Sequence, residues 1–180
     1  MGYLEIVIGP MFSGKTSKLL ELYKQYKFCN IETCVINHYT DDRYSRNELS
    51  SHDGVMIPCY QVSSLLEFME TPSNNYKSAE VVLINEAQFF PDLFESVLKM
   101  LSSNKKVFIV GLDGDFEKNK FGEILDLIPH CDKVQKLNSL CGLCKTGEPG
   151  IFSKRLTSEK EQTVVGSNNY VPVCRKCYEK

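Results

Sequence analysis

Residues 9–16 read Gly-Pro-Met-Phe-Ser-Gly-Lys-Thr and fill the pattern G-x-x-x-x-G-K-S/T in full. Glycines let such a loop curl until successive amides point inward at phosphate oxygens, and a helix N-terminus behind it adds its positive end. Gly9, Pro10, Met11, Phe12, Ser13 and Gly14 would form the cradle. Lys15 would reach the β- and γ-phosphates, and the Thr16 hydroxyl would ligate Mg²⁺. The bland reading is a glycine turn with a surface lysine; the position between a predicted strand and a predicted helix favours a bound nucleoside triphosphate. Farther along, Asn85-Glu86-Ala-Gln-Phe89-Phe90-Pro91-Asp92 follows an apolar run. A carboxylate at the carboxyl end of a parallel strand borders the ligand crevice. Glu86 could there take a proton from an attacking hydroxyl as a phosphoryl group leaves. Taken alone, such a glutamate is more often a solvated carboxylate. Phe89 and Phe90 could be core or could stack on a base, and Leu112 to Phe116 through Phe121-Gly122 carries the same ambiguity.

Four of the eight cysteines fall in two tight pairs, Cys141-Gly-Leu-Cys144 and Cys174-Arg-Lys-Cys177. Two such knuckles can bring four thiolates onto one tetrahedral zinc ion at about 2.3 Å each. The competing reading is two redox or disulfide pairs; without an export signal, a reducing compartment favours structural zinc. The 29 residues between the pairs exceed the usual ribbon insert, so a sizeable loop must project from the site. Cys29, Cys34, Cys59 and Cys131 lie among apolar neighbours and are expected to act as small hydrophobes.

These groups need a frame. Tyr3–Ile8, Thr33–Asn37, Val81–Ile84 and Lys106–Val110 read as strands, with a weaker one over Lys133–Leu137. Apolar spacing predicts helices over Thr16–Lys27, Val62–Glu70 and Asp92–Leu101. His38–Gly54 is polar and without period, as a functional loop would be. The alternation predicts a P-loop NTPase-like, mainly parallel α/β sheet over residues 1–137. A small zinc-ribbon lobe is expected over 138–180. The 180 residues suffice for a real core without disulfides. A net charge of −2 argues against a nucleic-acid coat or a polybasic membrane binder. No apolar run approaches a membrane span, so a cytoplasmic protein is expected.

The ordered set GPMFSGKT, RYS at 43–45, SHD at 51–53, EAQFFPD at 86–92, LDGDF at 112–116, the first cysteine pair, SKRLTSEKE at 153–161 and CRKCY at 174–178 resembles the zinc-containing type II thymidine kinases. The similarity spans nearly the whole chain. It implies transfer of the γ-phosphoryl group of ATP to the 5′-hydroxyl of thymidine, with Glu86 as general base. Asp53 matches an acidic residue near Mg²⁺ and the reacting hydroxyl. Phe89, Phe116 and Phe121 match an aromatic wall around thymine, and Met11 a residue near its 5-methyl group. The insert between the cysteine pairs matches a lasso closing over the nucleoside. Main-chain groups at Gln162, Val164 and Gly166 would read the base edge and the 3′-hydroxyl, with Tyr170 packed beside them. The resemblance also implies a homotetramer and feedback inhibition by thymidine triphosphate. Main-chain readout in a dry pocket predicts thymidine over deoxycytidine by about 10³-fold or more.

The sequence departs from that pattern at three places. Asn85 stands where the family usually has aspartate, which predicts a weaker hold on Mg²⁺ unless Asp53 or Asp113 compensates. Gly54 replaces an arginine found in some members. Asn138 sits where several have threonine near the methyl pocket. The rival readings are a regulatory nucleotide binder with disabled chemistry, which Asn85 would favour, and a zinc-ribbon ATPase acting on nucleic acid. The latter lacks a basic-aromatic stripe.

Overall fold

The computed structural model describes residues 1–40, 48–50, 54–164 and 166–180. Its strands are β1 Tyr3–Ile8, β2 Thr33–His38, β3 Glu48–Ser50, β4 Met56–Pro58, β5 Tyr60–Val62, β6 Val81–Asn85, β7 Lys106–Gly111, β8 Lys133–Lys136, β9 Ser139–Leu140, β10 Pro149–Gly150, β11 Phe152–Arg155 and β12 Tyr170–Val173. The helices are α1 Lys15–Phe28, α2 Leu65–Glu70, α3 Leu93–Ser102 and α4 Arg175–Tyr178, with short 3₁₀ turns at Ala87–Phe89, Ile124–His130 and Ser167–Asn169.

Six strands form one parallel sheet in the order β5-β2-β6-β7-β1-β8. Both faces are covered, as a parallel sheet requires. Leu4, Ile6, Val82, Ile84, Val107 and Ile109 point to one face, where α2, α3 and the 3₁₀ turn at Ile124–His130 contribute Leu65, Val97 and Leu127. Val7, Val35, Leu83, Phe108 and Val110 point to the other, against Leu19 and Leu20 of α1. That two-residue alternation is why residues 81–84 and 107–110 read as unbroken hydrophobic stretches.

Local chemistry sets the helix limits. Gly14 starts α1 in the left-handed region at φ 84°, a conformation that favours glycine. Asn30 ends it at φ 56°, and the Ile31 amide reaches back to the Tyr26 carbonyl at 3.0 Å. Asn104 ends α3 the same way at φ 58°, with the Lys105 amide on the Met100 carbonyl at 3.1 Å. Both are left-handed closures that satisfy carbonyls of the last turn. Ser64 caps α2 through the Glu67 amide. Asp92, expected inside the third helix, sits just before it and serves α2 instead. Its carboxylate accepts from Ser64 Oγ at 2.7 Å and the Leu66 amide at 2.9 Å. Burial alone would raise the Asp92 pKa, but those donors hold it below the ordinary carboxylate range.

Some expectations need correction. Val62 closes β5 rather than opening a helix, so α2 is only six residues long. The segment 38–54 contains β3, paired antiparallel with β4. The 3₁₀ turn at Ile124–His130 has no counterpart in the sequence reading. Cys29 is exposed at the end of α1 and Cys131 is half-buried, whereas Cys34 and Cys59 are buried as expected. After β8 the described strands form two-stranded antiparallel sheets, β9 with β10 and β11 with β12. No helix among the described residues is long and apolar enough to cross a membrane.

Candidate functional site

A cavity opens at the carboxyl ends of β1, β6 and β7, and the segment between β11 and β12 closes over it. The loop after β1 forms its floor. Gly9 lies so close to Leu137 that any side chain would strike that residue's carbonyl oxygen, and this contact fixes where the loop leaves the sheet. Met11, Phe12, Ser13, Gly14, Lys15 and Thr16 line the cavity. Gly9 and Pro10 do not; the Pro10 carbonyl instead accepts from Lys15 Nζ at 2.7 Å. The lysine is thus held over its own loop, where its charge can meet a phosphate.

Thr16 stands at the start of α1 beside Asn85 at the end of β6, with Thr16 Oγ1 3.4 Å from Asn85 Oδ1. Asn85 is 1% exposed, and its amide Nδ2 donates to Asn37 Oδ1 at 2.9 Å. One hydroxyl and one carbonyl oxygen therefore face the phosphate loop. A hard cation such as Mg²⁺ takes such oxygen donors and fills its remaining positions with phosphate and water oxygens. These residues fit the ion as neutral ligands. Asp113, the candidate replacement charge, is paired with Lys136 Nζ and does not line the cavity. Asp53, with the RYS and SHD triplets, lies outside the described residues.

Glu86 follows at φ 51°, ψ 41°, a left-handed geometry uncommon for a residue with a side chain and concentrated at functional sites. It is half-buried and borders the cavity. Its Oε2 accepts from Gln88 Nε2 at 2.7 Å, and Gln88 Oε1 in turn accepts from the Leu112 amide at 3.0 Å. The chain from the end of β7 through Gln88 fixes one oxygen of the carboxylate. Gln88 was missed as an individual site residue, although it lies inside the EAQFFPD run.

Aromatic rings make the wall. Phe89 and Phe121 meet edge to face at 5.4 Å between centroids, and Phe116 and Met11 also line the cavity. Gln162, Val164, Gly166 and Tyr170 approach from the closing segment. Arg155 organises that segment. Its Nη1 donates to the carbonyls of Glu159 at 2.8 Å and Glu161 at 2.6 Å. Its Nη2 donates to Gln162 O at 3.1 Å and to the Tyr170 hydroxyl at 2.6 Å, and the guanidinium lies 3.7 Å from the Phe116 ring centroid. Tyr170 OH also contacts the main chain of Val164 on both its amide and its carbonyl. Gln162 Nε2 reaches Asp115 Oδ2 at 2.8 Å. Asp115 and Arg155 lie inside the LDGDF and SKRLTSEKE runs without being singled out as site residues, yet an arginine in a strand that alternates between half-buried and buried residues must find partners inside.

The residues of β11 divide between two tasks. Ser153 accepts the Met11 amide on its Oγ at 2.9 Å and lines the cavity. Asn138 is exposed and does not line the cavity. Lys154 points the other way, to the carbonyls of Cys177 and Tyr178 on α4.

The profile of the thymidine kinase family matches residues 2–178. The chain belongs to the thymidine kinase family. It is 39% identical over 180 residues to the thymidine kinase of Yaba monkey tumor virus (strain VR587), an alignment covering 99% of this chain and 96% of the relative. It is 36% identical to thymidine kinase a of Arabidopsis thaliana, with coverage of 98% and 75%. The thymidine kinase of Sheeppox virus (strain KS-1) is also 36% identical, over 98% and 97%.

Beside this kinase site stands a four-cysteine group. The ligand atoms of Cys141, Cys144, Cys174 and Cys177 lie within 4.8 Å of one another. A tetrahedral zinc ion about 2.3 Å from each thiolate needs sulfurs about 3.8 Å apart, so the cluster is of the right size and all-thiolate donor set. Amide donors of Cys144 and Cys174 lower the Cys141 thiol to about 6. Burial and the neighbouring sulfurs push Cys177 up to about 12. The group could hold a divalent metal such as zinc, whose charge would favour the thiolate form of all four cysteines. The cluster is tied to the cavity, because Tyr178 OH donates to the Phe116 carbonyl at 2.6 Å.

Proposed function

We propose that this chain transfers the γ-phosphoryl group of ATP to the 5′-hydroxyl of thymidine. The observation that carries the reading is the meeting of Glu86 and the phosphate loop in one cavity whose other walls are aromatic rings and lasso main chain. Thymine would lie among Phe89, Phe116, Phe121 and Met11, with its polar edge toward Gln162, Val164 and Gly166. This orientation directs the 5′-hydroxyl to Glu86. As the oxygen bonds to the γ-phosphorus, its proton passes to the Glu86 carboxylate and the bond to the bridging oxygen of the β-phosphate breaks. Gln88 keeps the accepting carboxylate aimed, and Lys15 with the loop amides holds the phosphates. Mg²⁺, held by Thr16 and Asn85 and, by resemblance, Asp53, would neutralise charge on the β- and γ-oxygens.

Residues 138–180 would form a separate lobe in which structural zinc pins both ends of the lasso. Lasso closure would exclude water from the transfer. Thymidine triphosphate would inhibit by placing its base in the nucleoside pocket and its phosphates toward the loop. A homotetramer follows from the same family reading. Incubation with ATP, Mg²⁺ and thymidine should give thymidine monophosphate, with deoxycytidine turned over about 10³-fold less efficiently. Equal use of both nucleosides would refute the pocket assignment. Nucleotide binding without any product at any Mg²⁺ concentration would favour a regulatory binder.

A further inference from the structure

Asn85 differs from a carboxylate in one way that matters at a cation site. A carboxylate presents oxygen from either end, whereas an amide presents oxygen from one end and two N–H donors from the other. Turned the wrong way, Asn85 would aim N–H groups at Thr16 and at the metal position. The parallel pairing of β2 with β6 places Asn37 directly across from Asn85, and both are buried at 1% exposure. Asn37 Oδ1 takes the Asn85 Nδ2 hydrogen at 2.9 Å, leaving Asn85 Oδ1 toward Thr16 Oγ1. With Asn37 oriented as it is, the reversed Asn85 amide would set two carbonyl oxygens against each other in a dry site, which is costly. We propose that Asn37 is a positioning residue which selects the amide orientation of Asn85 and so lets a neutral side chain serve as a ligand for nucleotide-bound Mg²⁺.

The proposal rests on the reading of Thr16 and Asn85 as Mg²⁺ ligands, and it has a specific consequence. An orienting partner matters only while residue 85 is an amide. An aspartate there has no wrong end, so Asn85→Asp should make Asn37 dispensable.

ATP affinity measured by calorimetry with and without Mg²⁺ separates the possibilities without reference to turnover. In Asn37→Ala the Mg²⁺ needed for half-maximal tightening of ATP binding should rise about tenfold, the size of one net hydrogen bond, while metal-free ATP affinity stays within twofold. Asn37→Asp retains the accepting oxygen and should need no more Mg²⁺ than the wild type. In the Asn85→Asp background, adding Asn37→Ala should change the Mg²⁺ requirement less than twofold. Equal losses from Asn37→Ala in both backgrounds would show a merely structural residue and overturn the proposal. An unchanged Mg²⁺ requirement in Asn37→Ala, or a rise in Asn37→Asp, would do the same. If Asn37→Ala melts too low to assay, the Asn37→Asp result still decides. A wild type whose ATP affinity ignores Mg²⁺ would remove the metal reading itself, and the orienting role with it.

Discussion

Replacing Arg155 with alanine should loosen the lasso and weaken nucleoside binding far more than ATP binding. Arg155 is 8% exposed, and its guanidinium makes four hydrogen bonds, three to lasso carbonyls and one to Tyr170. Each bond from a charged donor contributes about 1.5–3 kcal/mol when both groups stay buried. Glu159, Glu161 and Gln162 are exposed, so their carbonyls regain water once freed, and about 0.5–1 kcal/mol per bond is the realistic loss. The total is about 2–4 kcal/mol, which corresponds to roughly 30- to 700-fold in the population of the closed segment. Loss of the cation stacked on Phe116 acts in the same direction. The expected result is a thymidine KM raised by that order, with the ATP KM changed less than threefold. Arg155→Lys keeps the charge but neither the fork nor the stacking, and should recover only part of the loss. Limited proteolysis should cut the variant within 156–169 at protease levels the wild type resists. A thymidine KM within twofold of wild type, in protein that retains its metal and its circular dichroism spectrum, would refute this reasoning.

Other consequences concern different parts of the molecule. Protein purified without added metal should carry one zinc per chain, and its removal by a chelator should lower the melting temperature and expose four reactive thiols; a full thiol titre before chelation would contradict the tetrathiolate site. Gln88→Ala removes the hydrogen bond on Glu86 Oε2, so kcat should fall about 10- to 100-fold while nucleoside binding changes little; an equal loss through KM alone would assign Gln88 to binding instead. Asp92 has a folded pKa below its unfolded value, so its contribution to stability is fully present above about pH 4 and disappears as pH falls through the folded pKa. Asp92→Asn should therefore flatten the acid limb of a stability-versus-pH curve measured by urea unfolding; an unaltered limb would remove Asp92 as a source of acid sensitivity.

The frame of this fold was legible because its strands are buried on both sides. Val81–Ile84 and Lys106–Val110 can hardly be anything but central strands, and the phosphate loop announces itself through glycine and lysine spacing. Short elements left no such trace. Three residues of β4 or β5 cannot display a period, and the 3₁₀ turn at Ile124–His130 carries Pro129, which masks any helical pattern. Within the site, residue types were readable but partnerships were not. Asn37 and Asn85 lie 48 positions apart and become neighbours only through the register of β2 on β6. Gln162 and Asp115 are 47 apart and meet only when the lasso folds back. Ser153 and Met11 are 142 apart, and only the fold brings that small polar side chain, rather than Asn138, to the phosphate loop. Such pairings depend on sheet order and loop closure, which no local window contains.

The central claim is that Glu86 accepts the proton of the nucleoside 5′-hydroxyl. Single-turnover transfer from ATP to thymidine in Glu86→Gln tests it most directly, with thymidine and ATP affinities measured on the same protein. The transfer rate should be lower by about 10²- to 10⁴-fold, with both affinities within a few-fold of wild type. Transfer at a wild-type rate, or a deficit that vanishes at saturating thymidine, would contradict it.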